Sequence, residues 1–214
     1  MYITILTATY NRANKLKKLY NSLLKQTNKN FEWFIVDDGS TDDSEKVINN
    51  FIKEGKIPIL YEKKQNGGKH TALNVGISKI KSRLTVIVDS DDWLCDDAID
   101  LIYKFDQKYK NSKELKLCGY SFLRKYPSGK INGKNFRTDE LIGSYIDIRI
   151  NQGIDGDKAE VWYTEILKKY PFPEFENEKF LGEDVVWIEM AKKYNMVHIK
   201  KVIVVSEYLD NRIN

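Results

Sequence analysis

Four short apolar runs dominate the first ninety residues: Ile3–Ala8, Phe31–Val36, Ile57–Tyr61 and Leu84–Val88. Each is followed by a polar cluster and, after the first three, by a helical stripe. Continuous apolar runs without alternation suit strands buried on both faces, the signature of a parallel sheet. The stripes fall at Ala13–Gln26 (Leu16, Leu19, Tyr20, Leu23, Leu24), Ser44–Glu54 (Val47, Ile48, Phe51, Ile52) and Thr71–Lys79. A βαβαβαβ order with short connections predicts an α/β fold, with a mostly parallel sheet flanked by helices.

The polar clusters are Thr9-Tyr10-Asn11-Arg12, Asp37-Asp38-Gly39-Ser40, Asn66-Gly67-Gly68-Lys69-His70 and Asp89-Ser90-Asp91-Asp92. All fall after predicted strands, so a parallel sheet gathers them at its carboxyl edge, where open α/β sheets bind ligands. The last cluster constrains chemistry most. Three carboxylates in four residues at the end of an apolar strand repel one another unless a cation joins them. Mg²⁺ or Mn²⁺ favours such oxygen donors and completes its shell with substrate phosphates. The same triplet also suits a helix cap, with Asp91 or Asp92 leading a helix from Trp93. Tyr10 offers a flat face for a base, Arg12 a cation for phosphate, and Asp38 an acceptor for a pyrimidine N–H. Gly67-Gly68 permits close backbone approach, and Lys69 beside it meets phosphate. Taken singly, YNR reads as a helix entry, Asp38-Gly39 as a turn and the glycine pair as a loop. His70 reads as a solvent-facing helix start and His198 as structural.

The second half is less regular. Asp96–Lys108 predicts a helix, Leu115–Tyr126 a strand ending in a Pro127–Lys130 turn, Ala159–Tyr170 a helix, Gly182–Tyr194 a helix and Met196–Glu207 a strand; Asp139–Ile150 is ambiguous. Glu183-Asp184 opens the Gly182 helix, where negative charge is favoured; it reads as capping, or as a general base if the fold carries it opposite the carboxylate triplet. The chain reads as one domain over residues 1–214, a half at 1–94 that carries the four polar clusters and a half at 95–214 that carries Glu183-Asp184 and covers one end of the sheet.

Thirty-five Lys+Arg against 31 Asp+Glu leave a net charge of only +4, too little to argue for nucleic acid. Two cysteines make neither a disulfide framework nor a metal spacing, which suits a reducing cytosol. No run approaches a membrane span, and peripheral association at the inner face of a membrane remains compatible.

Together, TATYNR (Thr7–Arg12), VDDGSTDDS (Val36–Ser44), NGGKHTALNVGI (Asn66–Ile77), VDSDDW (Val88–Trp93) and GED (Gly182–Asp184) resemble glycosyltransferase family 2, inverting enzymes of the GT-A fold. GDKAEVW (Gly156–Trp162) adds a likeness to bacterial members that build cell-surface polysaccharides. The resemblance implies a nucleotide-sugar donor, UDP-linked by family habit, a Mn²⁺ or Mg²⁺ ion and a glycan or lipid-linked saccharide acceptor. By position it assigns Thr9, Tyr10, Arg12, Asp38, Gly67, Lys69, Asn74, Asp89 and Ser90 to the nucleotide sugar. Asp91 with Asp89 would hold the metal in a DxD arrangement. Asp184 would be the base, with Glu183 beside it. Glu207, Tyr208 and Asp210 are in range for a further metal ligand. The usual arginine before Asn74 is absent, Leu73 standing in its place. A sugar-phosphate nucleotidyltransferase, or a binding module without turnover, are the rival readings.

Overall fold

The computed structural model describes residues 1–176 and 178–207. Tyr208 and Asp210 therefore lie outside the described residues. The first half follows the expected alternation. Strands β1 (Ile3–Thr9), β2 (Phe31–Asp37), β3 (Ile59–Lys63) and β4 (Leu84–Ile87) alternate with helices α1 (Ala13–Leu24), α2 (Ser44–Glu54) and α3 (Lys69–Lys79). All pairings among these four strands are parallel. Side-chain alternation divides them between two cores. Ile3, Ile5, Trp33, Ile35, Leu84 and Val86 pack against α1 and α2, while Leu6, Phe34, Val36 and Ile87 pack under α3.

The remaining elements are β5 (Trp93–Leu94), α4 (Ala98–Tyr109), β6 (Leu117–Lys125), β7 (Glu140–Gly143), β8 (Lys158–Tyr163), α5 (Thr164–Leu167), α6 (Asp184–Ala191) and β9 (Asn195–Val205). A π-helical turn occupies Ile146–Asn151. The strands form one sheet in the order β3-β2-β1-β4-β8-β6-β9-β5, with β7 also on β9. The second half thus continues the sheet instead of covering its end. It joins through antiparallel pairing of β4 with β8, Val86 opposite Val161.

Two sequence expectations change here. Residues 158–163 are a strand, not the start of a helix, because Ala159 and Val161 enter one core while Trp162 enters the other. No helix begins at Trp93. Trp93 and Leu94 pair with Val205 and Val204, and α4 starts only at Ala98. The Pro127–Lys130 turn closes as expected, through Tyr126 N to Lys130 O at 2.8 Å. Cys95 and Cys118 are both free thiols. No helix among the described residues is long and apolar enough to cross a membrane.

Candidate functional site

The carboxyl ends of β1, β2 and β4 open into a crevice of about 400 Å³ lined by Thr9, Tyr10, Arg12, Asp38, Lys69, Asp89, Ser90, Asp91 and Phe180. Its floor is tied together from below. Asn11 adopts a left-handed φ of 51° and its Oδ1 accepts from Thr41 N at 2.8 Å, locking the β1–α1 turn onto the β2–α2 turn. Asp37 Oδ1 accepts from Ser40 N at 2.7 Å.

Asp38 is only 3% exposed and organises the glycine loop. Its Oδ1 accepts from Lys64 Nζ (2.8 Å) and Gly67 N (2.9 Å), and its Oδ2 from Asn66 Nδ2 (3.0 Å) and Gly68 N (2.7 Å). Four donors on one buried carboxylate make a charge-assisted clamp. Gly68 needs to be glycine: its φ is +99°, and a Cβ there would lie 2.2 Å from the Lys179 carbonyl oxygen.

At the end of β4 the carboxylates part. Asp91 pairs with Arg12 at 3.0 Å, and Asp89 pairs with Lys69. Asp92 turns inward, where its Oδ2 accepts from Arg124 Nη1 at 2.6 Å and Ser206 Oγ at 2.9 Å. Burial pushes the Asp92 carboxyl up to about 6, against the pull of Arg124. Asp92 therefore welds β4 to β6 and β9, leaving Asp89 and Asp91 for the crevice.

Lys69 also pairs with Glu183, at 2.8 Å. Partial desolvation opposes its charge, but Asp89 and Glu183 outweigh it and hold the ammonium above the ordinary lysine range. One side chain thus connects the end of β4 to the start of α6, which sequence alone left far apart. Beyond Lys69 lies a second crevice of about 430 Å³, whose lining includes Tyr145, Asp157, Glu160, Glu183, Asp184 and Trp187. Its cations are committed internally. Arg124 Nε donates to Lys158 O at 2.7 Å, Lys158 Nζ to Asp155 O at 2.7 Å, and Arg149 Nε to Ile154 O at 2.7 Å. Burial lowers Lys158 to about 8, and it raises Glu160 despite Arg149 and Arg124.

Sequence reasoning missed Arg124, Arg149, Lys158 and Glu160. The signal for Lys158 and Glu160 was the alternation in KAEVWY, which puts them on the face opposite Ala159 and Val161. Asn74 is not brought to the crevice. Its amide clamps the α5–α6 connection, donating to Phe172 O (2.9 Å) and Glu174 Oε1 (2.7 Å) and accepting from Phe172 N (2.8 Å). Gly67 meets the site only through Asp38. His70 is 2% exposed, so it is a buried residue and not a solvent-facing one; His198, at 0%, is structural as expected.

Among the described residues no three acidic, histidine or cysteine side chains are grouped closely enough to hold an ion alone. Asp89 and Asp91 fit the other arrangement, in which two carboxylates supply hard oxygen donors and phosphate oxygens complete the shell. Glu207 borders the same carboxylates but pairs with Lys18 at 2.8 Å. Thr9 Oγ1, buried in the crevice wall, has no hydrogen-bond partner.

The family model described as Glycosyl transferase family 2 matches residues 4–113. The chain is 37% identical over 108 residues to Glycosyltransferase GlyA of Streptococcus pneumoniae serotype 4, a match over 50% of this chain and 15% of that protein. It is 35% identical over 103 residues to Glycosyltransferase GlyG of the same organism, over 48% of this chain and 34% of that one. It thus spans 15% and 34% of the length of these two relatives. Residues 1–349 of S. aureus TarS in complex with UDP-GlcNAc superpose with a TM-score of 0.79 at 20% identity, over 99% of this chain and 60% of that chain. The mannosyltransferase PcManGT of Pyrobaculum calidifontis, in complex with GDP-Man and Mn²⁺, gives 0.70 at 16%, over 98% and 58%. At these identities the likeness is one of fold, the GT-A arrangement of a central sheet flanked by helices.

Proposed function

Because the chain belongs to glycosyltransferase family 2, we propose that it moves a sugar from a nucleoside-diphosphate donor to an acceptor hydroxyl, inverting the anomeric carbon. The observation that carries this reading is the Lys69 bridge between Asp89 and Glu183, which joins the carboxylates of the first crevice to those of the second.

The donor lies in the first crevice. Tyr10 offers its exposed ring to the base, Thr9 Oγ1 gains the partner it lacks, and Arg12 and Lys69 bring positive charge to the diphosphate. Asp89 and Asp91 would hold Mn²⁺ or Mg²⁺, which when bound neutralises charge on the departing diphosphate. The acceptor lies in the second crevice. Asp184, in the first turn of α6, takes the proton of the attacking hydroxyl. Lys69 and Arg149 pair with Glu183 and Glu160 there, and that crevice presents Asp157 and Asp184 as further carboxylates, which accept hydrogen bonds from hydroxyls. A single in-line displacement needs no covalent nucleophile. The TarS complex with UDP-GlcNAc supports a UDP-linked donor. A glycan or lipid-linked saccharide of a bacterial cell envelope is the acceptor we favour, reached in the cytoplasm at the inner face of the membrane.

The test is release of nucleoside diphosphate from a UDP-sugar panel with Mn²⁺. Asp91→Asn and Asp184→Asn should each lower turnover about 10²–10⁴-fold with the thermal midpoint nearly unchanged. Full activity in either variant refutes its role. Turnover of a triphosphate would select the nucleotidyltransferase reading instead, and binding without turnover the inert module.

A further inference from the structure

The connection between α5 and α6 carries a phenylalanine that the fold does not use. Phe180 is 83% exposed, the most exposed large apolar side chain among the described residues. The span around it, by contrast, is fastened. Lys179 Nζ donates to Asn66 Oδ1 at 2.8 Å, and Phe180 N donates to Glu178 Oε1 at 2.8 Å. Glu183, three residues on, is held by Lys69. The Lys179 carbonyl lies against Gly68 so closely that no side chain fits between them. Leu181, the next residue, packs into the core beneath α3 and α6. The chain is thus pinned on both sides of a ring left out of the core.

That ring lines both crevices. It borders the first together with Tyr10, Asp89 and Asp91, and the second together with Glu183 and Asp184. Between the diphosphate and the base lies the position through which a transferred sugar passes. The apolar C–H face of a pyranose covers an aromatic ring well, and such a contact tolerates a change of stereochemistry at the anomeric carbon.

We propose that Phe180 is the stacking platform for the transferred sugar of the donor, a binding and orienting contact separate from those made to the nucleotide. This rests on the reading of the first crevice as a nucleotide-sugar site.

Isothermal titration in Mn²⁺ separates the two. The wild type, Phe180→Ala and Phe180→Tyr are titrated with UDP and with UDP-glucose, UDP-galactose, UDP-N-acetylglucosamine and UDP-N-acetylgalactosamine. UDP affinity should agree within about twofold in all three proteins, which also reports that the variants fold. For the UDP-sugar the wild type binds best, Phe180→Ala should weaken affinity about three- to tenfold and Phe180→Tyr should restore it. Equal UDP-sugar affinity in wild type and Phe180→Ala overturns the proposal. So does an equal loss for UDP and UDP-sugar, which would place the ring on the nucleotide. If the wild type binds neither UDP nor any UDP-sugar, the donor-site reading falls and the platform falls with it.

Discussion

Replacing Asp38 by asparagine tests whether the glycine loop depends on one carboxylate. In the native chain two donors reach each oxygen, at 2.7–3.0 Å, and the group is 3% exposed. Asparagine keeps one acceptor oxygen and turns an NH₂ toward the other pair of donors. If it keeps Lys64 and Gly67, the buried Gly68 N–H faces a donor. If it flips, Lys64 Nζ and Gly67 N do. An orphaned buried donor costs about 1–3 kcal/mol, and breaking a buried charged pair about 3–5 kcal/mol. Lys64 is 21% exposed at its side chain, so water recovers part of the second cost and a total of about 3–4 kcal/mol is expected. At about 2–4 °C per kcal/mol for a chain of this size, the thermal midpoint should fall by roughly 6–16 °C. Urea denaturation at pH 7 measures the loss directly, and UDP titration on the folded fraction should show weaker binding as the loop loosens. A change below about 1 kcal/mol with UDP affinity intact would refute the clamp.

Other outcomes follow from single contacts. Gly68→Ala should destabilise by about 2–4 kcal/mol, since φ of +99° and the Lys179 carbonyl both oppose a Cβ, whereas Gly67→Ala meets the side chains of Thr71 and Lys64 and no backbone, and should cost less than Gly68→Ala; equal effects in urea melts would contradict this. Burial holds His198 neutral, with its folded pKa lowered from 6.5 to about 4, so the unfolded chain binds the extra proton between those values. Stability from this group is complete above about pH 6.5 and is lost as pH falls toward 4, about 3 kcal/mol in all, and His198→Gln should flatten that slope in urea melts between pH 4.5 and 7.

The first half was legible because its physics is local. β1, β2 and β4 are buried on both faces, so they read as unbroken apolar runs, and their polar ends mark the carboxyl edge. The second half hid behind buried charge. In β8, Lys158 and Glu160 face a crevice instead of solvent, so KAEVWYTEIL passes for an amphipathic helix. Asn74 and His70 were misplaced for a related reason: sequence gives the face of α3 only where apolar spacing is strong, and KHTALNVGISK has little. The union of Asp89 with Glu183 is a tertiary fact that no spacing encodes. The outward turn of Asp89 and Asp91, with Asp92 withdrawn, depends on Arg124, which arrives from a strand thirty residues later.

The β4–β8 ladder has a mechanical corollary. Neighbouring strands lie about 4.8 Å apart and side chains alternate faces, so the interval separating the end of β4 from Glu160 is set by the backbone ladder that pairs Val86 with Val161. A slip of one residue in that ladder would turn Lys158 and Glu160 into the core that Ala159 and Val161 fill and turn those two toward the crevice. The two crevices share Lys69 and Asp89 and are walled by strands of one sheet, so they cannot swing apart like jaws on a hinge.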